Sequence, residues 1–440
     1  MNEQKKIDTS CIPYKNGVTL LKFKIMQTSK VDVLVIGAGP AGSIAASIIN
    51  KAGYKVKMVE KEKFPRFVIG ESLLPRVMDH LEEAGLLEAV KKAGFQEKFG
   101  AKFVSGDKIC DFNFSEQFTQ GWKWTWQVPR GEFDKILAET TASMGVDLEY
   151  ETAVKDIKFN GTDSITTVVD KAGNEKQIEA KFIVDASGYG RVIPRMFNLD
   201  KPSNFDPRKT HFTHFKDLKR PEGVDGNRIT IVVHQQRTWI WIIPFSNGVT
   251  SVGFVGDPLF FKDFPEDATE RMKAIVACNK ETKDRFGDAE MMFEPRTIEG
   301  YAISTKQLFG DGFVLVGNAT EFLDPVFSSG VTFAMESGNK AAKLVCEALK
   351  GNDVDWQKDY SDYMMRGIDT FRTYVSTWYE GDLHEIFFSS LAEPDIKKQI
   401  CSVLAGYVWD LENPFVKKHD RAVKSLANML RTTRQNSISI

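Results

Sequence analysis

The chain has 440 residues, 42% hydrophobic and 27% charged, with a formal net charge of -2 at pH 7. That is the balance of an ordinary globular protein with room for more than one domain, and it excludes a nucleic-acid partner held by a basic surface. Five cysteines (11, 110, 278, 346 and 401) form no C-x-x-C and six histidines form no H-E-x-x-H, which excludes a disulfide framework and a zinc site and fits a cytoplasmic protein.

Residues 1–30 begin "MNEQKKIDTSCIPYKNGVTLLKFKI". They lack the apolar core and cleavage site of a signal peptide, and no run anywhere approaches the length of an integral membrane segment. Met26 lies just ahead of the first strong motif, so this stretch reads as an N-terminal extension.

Residues 30–61 read "KVDVLVIGAGPAGSIAASIINKAGYKVKMVEK". Val31 to Ile36 predict a buried parallel strand. Gly37-x-Gly39-x-x-Gly42 follows at once, with Pro40 and Ala41 inside the turn, and opens a helix. Val56, Met58 and Val59 predict a second strand that ends at Glu60, beside Lys61. In this order the motif is a dinucleotide fingerprint. Gly37 permits the tight turn, Gly39 lets a pyrophosphate approach the backbone, and Gly42 lets helix and strand pack. The helix N-terminus offers free N–H groups and a partial positive charge. Glu60 can accept both ribose hydroxyls of an adenosine, and its charge would repel a 2′-phosphate.

"FPRFVIGESLLP" (64–75) places Gly70, Glu71 and Ser72 before a helix. "EKFGAKF" (97–103) carries Lys98 and Lys102, four residues apart and expected on the same side of one strand. Phe95, Phe99 and Phe103 flank them and predict a covered site. Burial there would lower a lysine pKa from its ~10.4 reference. "GWKWTWQVPR" (121–130) predicts a strand whose aromatic face is Trp122, Trp124 and Trp126, then Arg130 ahead of an amphipathic helix. "KFIVDASGYGR" (181–191) predicts a further apolar strand ending at Asp185.

Alternating runs such as "RITIVVHQ" and "GVTSVGFVG" predict half-buried antiparallel strands between 204 and 303. In "WIWIIP" (239–244), Trp239 and Trp241 share one face and Pro244 ends the strand. His211 and His214 lie close together but lack a third ligand, so no metal is expected. "FVLVGNATEFLDPVFSSG" (313–330) is a strand, a turn and the start of a helix. Successive N–H groups at Ser329, Gly330 and Val331 could converge on an anion. Ser328 or Ser329 could equally serve as an ordinary helix cap. Residues 351–440 predict helices, with Trp356, Tyr360, Met364 and Phe371 on one apolar face.

Taken together, the glycine turn, the segments at 64–75, 128–137 and 181–191, and the strand and turn at 310–325 resemble the flavoprotein monooxygenases of the para-hydroxybenzoate hydroxylase fold. The resemblance covers most of 31–350. It implies an α/β protein whose Rossmann-like FAD-binding domain is assembled from 31–100, 131–203 and 304–350. An antiparallel β-sheet substrate domain would come from 101–130 and 204–303, and a helical C-terminal region from 351–440. It also implies one FAD, with Arg130 along its chain and Asp185 on the second nucleotide-facing strand. Gly317, Asn318 and Pro325 would lie against ribityl and isoalloxazine. The family usually has Gly-Asp-Ala where this chain has Gly317-Asn318-Ala319.

Three elements narrow the resemblance. "FLDPVFSSGV" (322–331), the W-x-W-x-I-P element and the K-x-x-x-K-F segment are similar to those of flavin-dependent halogenases. This implies that Lys98 is catalytic, that halide binds at Ser329 and Gly330, and that Trp239, Trp241, Phe327 and Ser328 line the substrate channel as a buried aromatic cavity. Tryptophan halogenases carry Glu where this chain has Phe327, so a phenol or pyrrole is the better substrate. The implied reaction uses reduced FAD, oxygen, halide and a small aromatic substrate, free or carrier-tethered, with a separate flavin reductase supplying electrons. Three alternatives stay open: a hydroxylase, a geranylgeranyl-reductase-like enzyme, and a flavin-binding module without turnover.

Overall fold

The computed structural model describes residues 6–12, 20–203, 205–389 and 393–438. Among these, a mixed sheet runs in the order Phe309–Gly310, Phe313–Leu315, Glu175–Asp185, Leu20–Ile36, Val56–Val59 and Asp147–Glu149. The four inner contacts, from Phe313–Leu315 across to Asp147–Glu149, are parallel. Their sequences are near-continuous apolar runs because helices cover both faces. The strand expected from Val31 begins earlier, at Leu20, and pairs antiparallel with Lys6–Ile12. Part of the expected extension is therefore sheet.

Ile36, Asp185 and Leu315 stand side by side in register. The turns that follow them consequently meet at one edge, the crevice where open α/β sheets bind ligands. Small residues make this contact possible. A Cβ on Gly37 (φ +100°) would lie 2.5 Å from Ala186 O, and one on Gly338 2.4 Å from Ala41 O. Helix Gly330–Leu349 thus packs directly on helix Pro40–Lys51.

A second sheet runs Arg296–Glu299, Lys209–Lys216, Val249–Gly256, Thr238–Pro244, Ile229–Gln235, Gly100–Ser105, Lys108–Asn113. Period-two alternation splits it cleanly. Trp239, Trp241, Phe212 and Phe103 face the main core, while Ile240, Ile242, Phe215 and Phe254 pack on helices Ala268–Ala277 and Lys280–Phe286. Beyond residue 351 the chain is helical, and Tyr360, Met364 and Phe371 are buried in the main core with Trp356 stacked on Phe182.

Candidate active site

The glycine turn places Gly39 just ahead of helix Pro40–Lys51, whose N-terminus has no side-chain cap. Its first N–H groups therefore remain available to an anion. A Cβ on Gly42 would meet Gly37 O at 2.0 Å, so this glycine serves packing. A Cβ on Gly39 would meet only Arg66 Nη2, at 3.5 Å. Its free side opens onto the crevice, with a cation beside it. Arg66 also donates to Asp134 at 3.2 Å and lies over the Phe64 ring. Sequence reading passed over Arg66, although it sits in the quoted 64–75 segment and is the cation nearest the turn.

Glu60 is buried at the end of its strand. Its carboxylate accepts from Ala38 N and Glu62 N, both at 3.0 Å, which leaves lone pairs over. Lys61 points outward and pairs with Glu62 at 3.7 Å. Arg130 is the first residue of helix Arg130–Ser143 and is buried. Its guanidinium forks onto Asp134 (2.8 and 3.0 Å) and donates to Ile69 O and Gly70 O (3.2 Å each). It thereby clamps the 64–72 segment to the helix. Asp185 ends its strand at the crevice, but its carboxylate turns inward and accepts from Ser187 N (3.0 Å) and Ile193 N (2.8 Å). Burial raises its pKa, partly offset by these bonds.

Gly317 (φ +59°) donates its N–H to Ser337 Oγ at 2.8 Å, and a Cβ there would sit 3.2 Å from Ala41 Cβ. Asn318 keeps its side chain free of hydrogen bonds among the described residues, while its carbonyl accepts from Arg191 at 3.1 Å. Arg191 also holds Ala319 O and Ser304 O, so it is the internal brace of this turn. Pro325 opens a 3-10 turn capped by Asp324, whose carboxylate accepts from Val326 N at 3.0 Å. Ser328 is left-handed (φ +57°), and Ser329 precedes helix Gly330–Leu349 without a side-chain cap. The expected alternative of a serine hydroxyl capping this helix is therefore not realised. Gly330 permits close packing, since a Cβ there would meet Phe322 at 2.9 Å.

Lys98 is 1% exposed. It lies on strand Gln96–Lys98, which pairs with Thr125–Gln127 so that Lys98 stands opposite Thr125. Nζ donates to Leu73 O at 2.7 Å and sits 5.5 Å over the Phe114 ring. No carboxylate forms an ion pair with it among the described residues. Burial, with the nearby Arg228 cation, lowers its pKa to about 7, so a large fraction is neutral amine at physiological pH. Lys102 differs from expectation. The strand breaks at Phe99, which is 40% exposed, and Lys102 belongs to the other sheet, where it pairs with Asp225 at 3.0 Å. The two lysines do not share a strand. The tryptophans at 122, 124 and 126 contact one another edge to face, but only Trp126 lies on a strand.

Trp239 and Trp241 do share a face, their ring centroids 6.1 Å apart. Trp241 donates to Ser251 Oγ and lies over Gly253, where any Cβ would strike the indole. Phe327 is buried between Phe103, Tyr374 and Trp378, with centroids at 6.4, 6.1 and 5.8 Å. The expected aromatic cavity is, at Phe327, a set of rings in contact. His211 bonds Thr297 and Ala268 O, and His214 bonds Glu71 at 2.7 Å. Among the described residues no cluster is placed to hold a metal, and no helix is long and apolar enough to cross a membrane.

The residues present fit a dinucleotide flavin. The uncapped helix start, the open side of Gly39, Arg66 beside it, and the buried, unpartnered Ser72 Oγ and Gln127 Oε1 all offer contacts that the protein itself leaves unused. The comparisons with known proteins agree. The FAD binding domain family matches residues 30–362. The chain is 32% identical over 391 residues to a 1H-pyrrole-2-carbonyl-(peptidyl-carrier protein) brominase of Pseudoalteromonas luteoviolacea, covering 87% of this chain and 93% of that protein. It is 30% identical over 413 residues to the corresponding chlorinase of Pseudomonas fluorescens, covering 87% and 91%. A solved flavoprotein/dehydrogenase of Cytophaga hutchinsonii is 64% identical and superposes with a TM-score of 0.91, over 92% of this chain and 100% of that one. The chain therefore belongs to the FAD-binding family and, within it, to the flavin-dependent halogenases.

Proposed function

We propose that this protein halogenates an electron-rich phenol- or pyrrole-type ring, free or carrier-tethered, through Lys98. The observation that carries this reading is a fully buried lysine without a carboxylate partner. A structural lysine would be paired or at the surface. Bound FAD, once reduced by a separate reductase, supplies the two-electron oxidation of halide to hypohalous acid using oxygen. The chain's residues do the rest. Gly39, the helix start at Pro40 and Glu60 bind the adenosine and pyrophosphate, with Arg66 countering charge. The N–H groups at Ser329 and Gly330 hold halide. Trp239, Trp241 and Phe327 keep water and ring substrate away from the cofactor. Lys98 receives the oxidant as neutral amine or ammonium and directs it. Relatives that act on carrier-bound pyrroles favour a tethered substrate.

The test is the mass and isotope pattern of products from reduced FAD, oxygen and bromide with phenols, free pyrroles and carrier-bound pyrrole. A bromine doublet supports the reading. Halide-independent hydroxylated product would replace it with the hydroxylase.

A further inference from the structure

Lys98 has a neighbour whose chemistry the fold leaves unused. Thr125 stands directly opposite it in the antiparallel register. Opposed side chains project to the same side of the pair, with Cβ atoms about 4.5–5.5 Å apart. Thr125 is 0% exposed, and its hydroxyl has no hydrogen-bond partner. Lys98 Nζ has one acceptor, Leu73 O, for its hydrogens. Two polar groups of one short strand pair are thus buried side by side and under-satisfied. Leaving a hydroxyl so costs about 1–3 kcal/mol, and valine has nearly the same shape at no such cost. Threonine at this position therefore calls for a ligand.

We propose that Thr125 is the second half of the Lys98 site: its hydroxyl binds the oxygen of hypohalous acid and so points the halogen at the ring. This rests on the halogenase reading. In the transfer the O–X bond breaks and a C–X bond forms. The ring proton leaves with the hydroxyl oxygen as water. A two-point hold fixes which end of a small, nearly isotropic oxidant faces the substrate, which a single amine does not. Ser72 and Gln127 also present unpartnered oxygens, but they stand opposite each other and not opposite Lys98.

The experiment compares wild type, Thr125→Val and Thr125→Ser. It measures melting temperature, FAD occupancy, halide-dependent oxidation of reduced flavin, halogenated product, and hypohalous acid escaping to an added dimedone-type trap. In Thr125→Val the melting temperature is expected to stay level or rise, with FAD binding and flavin oxidation unchanged. Product should fall about tenfold, the worth of one good hydrogen bond, with a matching rise in trapped acid. Thr125→Ser should restore the wild-type partition. A wild-type partition in Thr125→Val overturns the inference, as does a lowered melting temperature or failure of serine to rescue. Absence of halogenated product from the wild type itself would overturn the underlying reading, and that failure is visible before any variant is made.

Discussion

The Trp239 indole donates its N–H to the Tyr379 hydroxyl at 3.0 Å. Tyr379 in turn donates to Asp324 at 2.9 Å, while the Arg208 guanidinium stacks 4.1 Å above its ring. The substrate-side sheet, the flavin-side turn and helix Tyr363–Glu380 are joined by one phenol. Tyr379→Phe should therefore cost about 1–3 kcal/mol in denaturant unfolding, because it strands a buried donor and a carboxylate oxygen together. A cost below 0.5 kcal/mol would mean that the phenol bridge is dispensable.

Asp324 carries its own pH signature. Burial raises its pKa to about 6, against hydrogen bonds that pull it down. The folded state therefore holds a proton that the unfolded chain has lost, between roughly pH 4 and 6. Stability from this group is present below pH 4 and is lost as pH rises to about 6, by roughly 3 kcal/mol at most. Subtracting the pH–stability curve of Asp324→Asn from that of the wild type isolates the effect.

For Lys98 the sign is opposite. Its folded pKa is depressed to about 7, so the native state binds fewer protons than the unfolded chain between pH 7 and 10. Stability rises with pH across that window. Lys98→Met should be more stable than wild type near pH 7, by up to ~5 kcal/mol, with the gain fading toward pH 10. The same variant should bind FAD, oxidise reduced flavin and give no halogenated product. Lys102→Ala should leave product nearly unchanged.

The glycines of the turn separate binding from folding. Gly39 has φ -70° and an open Cβ position, so Gly39→Val should fold and lose FAD. Gly42→Ala would force a contact of 2.0 Å with Gly37 O and should damage the fold itself. Flavin absorbance per chain and circular-dichroism melting distinguish the two.

Much of this arrangement is local and therefore readable in sequence. The strand, glycine turn, helix and strand ending in Glu60 follow one another within about 30 residues, and their spacing determines their geometry. The shared face of Trp239 and Trp241 follows from period-two alternation alone. What was not readable is long-range. The break at Phe99 moves Lys102 to another sheet because Gly100–Ser105 finds a parallel partner in Ile229–Gln235, more than 120 residues away. Asp185 spends its carboxylate on the turn it precedes, which no spacing rule distinguishes from a nucleotide contact. Thr125 had no signal, since an unpartnered hydroxyl is defined by surroundings that only the fold supplies.

The phenol bridge also divides the labour of the chain by position. The FAD-binding match ends at residue 362, and the helix bearing Trp378 and Tyr379 starts at Tyr363. Colour and containment are therefore encoded in consecutive, separable stretches. A relative that altered only its last quarter could keep the same yellow cofactor and the same oxidant while changing how much of that oxidant escapes. Divergence in this family then has a cheap route from a selective catalyst to a leaky one, and back, that never touches the nucleotide fingerprint.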